Sequence, residues 1–132
     1  MLWQVIKIII YDTLEEVLSD MMSISDIQAS VLVSDNGLMV AGKSNIDSVG
    51  SENFASLIAM LMRSGTHTTR ELKKKELEYL LVNTKNDGQI ILIKAASNAI
   101  LAVLTDTNTN SVSIIAEMKE AAEKIKNILS KI

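Results

Sequence analysis

The chain contains no proline, no cysteine, one histidine, five glycines and only 3% aromatic residues among 132. Each scarcity excludes something. Without cysteine there is neither a disulfide framework nor thiolate chemistry. A single histidine, His67, rules out a His-rich zinc site. So few aromatics argue against a platform on which bases stack. The formal net charge of −3 has the wrong sign for a nucleic-acid footprint, so no nucleic-acid partner is expected. With no proline, low-complexity tract or internal repeat, nothing marks a linker, and residues 1–132 read as one domain. The apolar start MLWQVIKIIIYD is interrupted by Gln4 and Lys7 and is too short to span a bilayer. It has neither the basic start nor the clear cleavage site of a signal peptide. A cytoplasmic protein without membrane insertion is expected.

What the sequence does have is apolar residues, 48% of the chain, in patterns that specify elements. Over residues 2–22 they recur at helical spacing: Leu2, Val5, Ile6, Ile9, Ile10, Leu14, Val17, Leu18, Met21 and Met22. The pattern is firm over 12–22, where Asp12 or Thr13 caps. The β-branched run Ile8-Ile9-Ile10 leaves residues 1–11 either as an N-terminal extension of this helix or as an extra strand. IQASVLVS (27–34) and LMVAGK (38–43) read as strands. Asp35, Asn36 and Gly37 join them, with Asn and Gly accepting the positive φ of a tight hairpin.

A polar loop over 45–50 leads to a helix capped by Ser48 or Ser51 and running to about Ser64, where Gly65 breaks or bends it. The stretch 66–76 reads as a charged connector. LEYLLVNT (77–84), QIILIKA (89–95) and AILAVLTD (99–106) are strands with turns at 85–88 and 96–98, short enough to make an antiparallel meander. Apolar residues at both parities, as in Leu80-Leu81-Val82, call for cover on both faces. Residues 111–132 form an amphipathic helix capped by Asn110 or Ser111, with Ile114, Ile115, Met118, Ala122, Ile125, Leu129 and Ile132 as its stripe. The order helix-strand-strand-helix-strand-strand-strand-helix fits an α+β fold, one five-stranded antiparallel sheet with helices on both faces.

One stretch spells a nucleotide site. GLMVAGKS, Gly37–Ser44, matches the phosphate-loop pattern G-x-x-x-x-G-K-[ST]. Such a loop needs flexible residues between its glycines and a helix starting at the Lys-Ser. Here Leu38-Met39-Val40-Ala41 suits a strand, and a loop follows Ser44. AVLTD, ending in Asp106, imitates the strand and acid that hold magnesium, but a meander strand is antiparallel where nucleotide folds are parallel. Gly37 is better explained as a turn residue and Lys43 as a solvated strand end. His67 has no nucleophile and orienting acid beside it in sequence. Arg70, Lys73, Lys74 and Lys75 are interleaved with Glu71, Glu76 and Glu78, which reads as a solvated connector. Asp35 and Asp87 belong to their turns, and no metal spacing occurs. No catalytic residue, cofactor or metal is expected.

The middle helix asks for a partner. Phe54, Leu57, Ile58 and Leu61 form a stripe sufficient to pack on the sheet, and Ala55, Ala59, Met60 and Met62 carry apolar surface onto other sides. A helix apolar nearly all round is buried on more than one face, and a two-fold homodimer is the simplest remedy. The strand at 77–84 begins the meander as an edge, which must be covered or paired. The expected dimer interface is therefore Phe54, Ala55, Leu57, Ile58, Ala59, Leu61 and Met62 with Leu77, Tyr79, Leu81 and Asn83.

ASVLVSDNGLMVA (29–41), NFASLIAML (53–61), NDGQIILIKAASNAILAVLTD (86–106) and the closing helix together resemble the roadblock domain. This dynein light-chain family also occurs in bacterial and archaeal regulators of Ras-like GTPases. The resemblance covers about residues 12–132 and lies in the order of motifs, not in any one of them. It implies a profilin-like sheet flanked by helices and a dimer through the middle helix and strand 77–84. It also implies a scaffold or regulator that binds a small Ras-like GTPase, without catalytic residues of its own. Met60, Arg63, His67 and Arg70 are the candidate partner contacts. Three alternatives stay open: a structural light-chain subunit of a larger complex, a nucleotide-binding enzyme built on Gly37–Ser44, and a small-ligand sensor.

Overall fold

Residues 1–24, 26–46, 52–107 and 110–131 are described in the computed structural model, the side chain of Glu52 excepted. The elements are α1 (Leu2–Met22), β1 (Ile27–Ser34), β2 (Met39–Ser44), α2 (Glu52–Glu71), β3 (Tyr79–Asn83), β4 (Gln89–Ala96), β5 (Ala99–Thr105) and α3 (Ser111–Leu129). The strands form one sheet in the order β2-β1-β5-β4-β3, and every neighbouring pair is antiparallel. This is the α+β architecture expected from the sequence. The predicted caps Ser48 and Ser51 and the last stripe residue, Ile132, lie outside the described residues.

The sheet is apolar on both faces because its strands alternate between two cores. One core takes Leu32, Ile91, Leu101 and Val103 from the strands, Leu14, Leu18 and Met21 from α1, and Ile114, Met118 and Ile125 from α3. The other takes Val31, Val33, Leu92 and Ile100 from the strands and Ala55, Ile58 and Met62 from α2. Among the described residues, two helices thus cover one face and α2 is the one helix on the other. The N-cap of α3 is Asn110, whose side chain accepts from the Ser113 N–H at 3.3 Å. That satisfies one of the donors a helix start leaves free.

Several sequence expectations change. The helix begins at Leu2, which resolves the choice between helix and extra strand for the first residues. In the β1–β2 turn only Gly37 has positive φ, at 91°. Asn36 instead accepts a hydrogen bond from the Ser34 hydroxyl. Most consequentially, α2 does not stop at Gly65 but continues to Glu71. A Cβ on residue 65 would lie 2.6 Å from Leu80 Cδ1 and 3.1 Å from Leu77 Cδ2. Glycine therefore marks a close approach of helix to strand, and packing outweighs its poor helix propensity.

The β3–β4 turn is closed by Thr84, whose hydroxyl donates to the Gly88 carbonyl at 2.6 Å. Gly88 has φ of 86°, and a Cβ there would stand 1.9 Å from the Thr105 carbonyl oxygen. Strain and collision act together at this position. Gly88→Ala is expected to cost about 2 kcal/mol or more, read as a lowered urea midpoint. A midpoint equal to wild type contradicts this account of the turn.

Candidate interaction surface

The orientation of α2 decides which residues are free for a partner. The sheet-facing stripe is Ala55, Ile58, Ala59 and Met62, all buried. This corrects the sequence expectation, which gave Leu57 to the sheet and the two alanines to the outside. The reason is steric: the strands beneath already carry Val31, Leu92 and Ile100, and small helix residues let α2 sit close. Leu57 and Met60 face outward, 56% and 57% exposed. Phe54 and Leu61 are half-buried at the margin of the core.

The second half of the expected interface lies on an edge. β3 pairs only with β4, so its other side carries no strand among the described residues. Tyr79 and Asn83 are exposed, and Leu77 and Leu81 are half-buried. The residues expected at a dimer interface therefore divide. Leu57, Tyr79 and Asn83 are on the surface, and Phe54, Leu61, Leu77 and Leu81 border it. Ala55, Ile58, Ala59 and Met62 are already buried within the chain.

The candidate partner contacts follow one another along α2. Met60 is on the outer surface, while Arg63, His67 and Arg70 line a cleft of about 250 Å³ between α2 and the β4–β5 hairpin. Arg63 donates from its guanidinium to the Asp35 carbonyl oxygen at 2.9 Å, which ties α2 to the β1–β2 turn. His67 Nε2 lies 3.8 Å from the Glu71 carboxylate. Lys94 and Ser97 line the opposite side of the cleft. Sequence reading missed both, because nothing local links them to α2. A further apolar surface is also exposed on the first turns of α1, at Leu2, Trp3, Val5, Ile8 and Ile9.

The phosphate-loop spelling belongs to a strand. Met39–Ser44 is β2, paired with β1 from Ala29–Ser44 to Val33–Met39. A Cβ on Gly42 would meet Val31 Cγ1 at 3.0 Å, so this glycine serves sheet packing. Lys43, expected as a solvated strand end, instead reaches α1 and forms an ion pair with Glu15 at 2.9 Å. Its hydrogen bond is the leading reason the Glu15 carboxyl sits below the ordinary carboxylate range, with a bond from Tyr11 second. The same bond raises Lys43, and Tyr11 is raised by its bond to Glu15. Among the described residues no group of three or more acidic or histidine side chains is placed to hold a metal. No helix there is long and apolar enough to cross a membrane.

The Roadblock/LC7 domain family model matches residues 13–105. The uncharacterized protein MJ1340 of Methanocaldococcus jannaschii is 29% identical over 113 residues, which is 86% of this chain and 96% of that protein. Among solved structures, Myxococcus xanthus MglB superposes with a TM-score of 0.84 at 15% identity, covering 92% of this chain and 90% of that one. The gliding protein MglB of Thermus thermophilus gives 0.80 at 16% identity, with 93% of each chain covered. A Roadblock/LC7 domain from Streptomyces avermitilis gives 0.79 at 18% identity, covering 88% of this chain and 97% of that one.

The Glu15–Lys43 pair makes a pH-dependent prediction. A depressed carboxyl stabilises the fold above its unfolded value, and that contribution is lost as pH falls through the folded value. A raised lysine contributes below its unfolded value and loses it as pH rises through the folded one. The Tm gap between wild type and Glu15→Gln is therefore expected to be widest near neutral pH and to close as pH falls through the carboxylate range. Thermal melts across acid pH check this; a gap that stays constant rules the pair out as its source.

Proposed function

This chain belongs to the Roadblock/LC7 domain family, and on that premise we propose that it is a single-domain, non-catalytic, homodimeric module of the cytoplasm that binds a small Ras-like GTPase and regulates or scaffolds it. The observation that carries the self-association is the outward pair Leu57 and Met60 on α2, in a molecule whose sheet also ends in the open edge β3. Pairing α2 with its twin removes that apolar surface from water, and pairing β3 with its twin satisfies the edge. Both contacts are compatible with one two-fold axis. A solved MglB with a tetrameric arrangement, similar in fold with a TM-score of 0.83, supports self-association as a habit of this architecture.

The GTPase partner follows from the family resemblance. A dimer of this kind needs no chemistry of its own. If it binds one arrangement of a GTPase's switch segments more tightly than the other, it shifts their population by that difference in affinity. Met60, Arg63, His67 and Arg70 are the side chains proposed to meet the partner.

The test is a pull-down from the native source with the tagged chain, loaded with GTP analogue or GDP and read by mass spectrometry, in parallel with Leu57→Glu. Leu57 is exposed in the single chain, so the substitution costs little internal packing. It places charges in the proposed interface, which is costly when buried. The expected result is a small GTPase enriched in one nucleotide state by the wild type, and a monomeric variant of half the mass by light scattering. A dimeric Leu57→Glu contradicts the pairing through α2. Recovery of a large assembly without a GTPase contradicts the regulatory reading in favour of a structural light chain.

A further inference from the structure

We propose that the cleft between α2 and the β4–β5 hairpin binds a small anion carrying two or more phosphate groups, either free in solution or as a lipid headgroup. This goes beyond the GTPase reading: it gives Arg63 and Arg70, proposed above as partner contacts, a small anionic ligand of their own.

Charge is the first argument. The cleft sets Arg63, Arg70 and Lys94 against a single carboxylate, Asp35. A contiguous cleft of about 240 Å³ shares Arg70 and Lys94 and adds Lys74 and Lys75, against a single carboxylate, Glu76. Such a concentration of positive charge stands out in a chain whose net charge is −3. Among the described residues the ion pairs are Lys43–Glu15, His67–Glu71 and Lys119–Glu78. None engages these five cations. Unpaired cations converging on a partly enclosed site raise the local concentration of anions.

Geometry is the second argument. Arg63 and Arg70 are two helical turns apart on α2, so they lie on the same side of the helix. Lys94 faces them from β4. The bond from Arg63 to the Asp35 carbonyl fixes that guanidinium and leaves most of its donors free. Thr66 and Ser97 line the same cleft, and their hydroxyls are further groups able to donate to phosphate oxygens. Arginine forks match phosphate oxygens in pairs, which selects phosphate over a single-point anion.

The volume of the site narrows the ligand. At about 250 Å³ the cleft is at the small end of ligand pockets, a fit for a di- or triphosphate group. Each cleft carries one carboxylate, Asp35 in the first and Glu76 in the second, against the cations they share. Leu57 and Met60 do not line the site, which lies off the outer face of α2.

The test is calorimetric titration of the full chain with tripolyphosphate at low ionic strength, beside sedimentation with phosphatidylcholine vesicles with and without phosphatidylinositol bisphosphate. Saturable binding of one tripolyphosphate per chain is expected. Arg70→Glu or Lys94→Glu should weaken it about tenfold or more, the loss of a charge-assisted contact. Lys124→Glu on α3 should leave it unchanged, and circular dichroism checks that each variant folds. Binding to the bisphosphate vesicles alone, with the same sensitivity to Arg70 and Lys94, supports the headgroup source. Absence of binding to either probe, or binding indifferent to Arg70 and Lys94, overturns the proposal. If Arg70→Glu releases a protein partner while wild type binds neither probe, the cleft is a protein contact and the proposal fails.

Discussion

A sheet whose strands carry apolar side chains on both faces must be covered twice, and the rest of this fold follows from meeting that demand with three helices. α1 and α3 share one face, anchored by Leu18, Met118 and Ile125, which are almost wholly withdrawn from solvent. Among the described residues the one helix on the opposite face is α2. A single helix covers a narrow strip, so α2 must sit close and central. Its small residues, Ala55 and Ala59, and the missing side chain at Gly65 are what allow it to approach. The cost of that choice is that larger apolar residues, Leu57 and Met60, are turned outward.

The same constraint explains where the open surfaces lie. The sheet ends in β2 on one side and β3 on the other. β2 is tied to α1 by the Glu15–Lys43 ion pair with Tyr11 beside it. Among the described residues β3 has no comparable tie along its free side, although Lys119 of α3 pairs with Glu78 just before it. The exposed apolar residues of α2 and the free strand edge are the surfaces that the proposed pairing would cover. The basic cleft arises where the C-terminal half of α2 runs past the β4–β5 turn, bringing cations from both into one place.

The strands, the β1–β2 hairpin and the β3–β4–β5 meander were legible because short turns, glycines and two-sided apolar runs are local signals, whereas the pairing of β1 with β5 that joins them is long-range and was not. β1 is found at the predicted residues, and the other strands differ from prediction by only one or two residues at an end. The rotation of α2 was not legible. Its apolar residues lie at nearly every azimuth, so periodicity offers two acceptable stripes, and only the side chains of the strands below choose between them. The break expected at Gly65 failed for a related reason, since a propensity of about 1 kcal/mol yields to tertiary packing. The phosphate-loop spelling failed because a pattern of letters carries no information on whether its backbone is a loop or, as here, a strand. The cleft was legible only in part: Arg63, His67 and Arg70 stood out as candidate contacts, but 66–76 read as a connector, so their shared helix, like Lys94 and Ser97 opposite, comes only from the fold.

The central claim is that the outer face of α2 and the free edge of β3 are completed by a second copy of this chain. Hydrogen exchange at the backbone amides of Tyr79–Asn83, compared at high and at low protein concentration, tests it most directly. The account predicts that β3 amides become more protected as concentration rises, together with the segment of α2 around Leu57 and Met60, while β5 in the centre of the sheet stays unchanged. Protection of β3 that is the same at all concentrations, in a chain whose mass remains that of one copy, would contradict it.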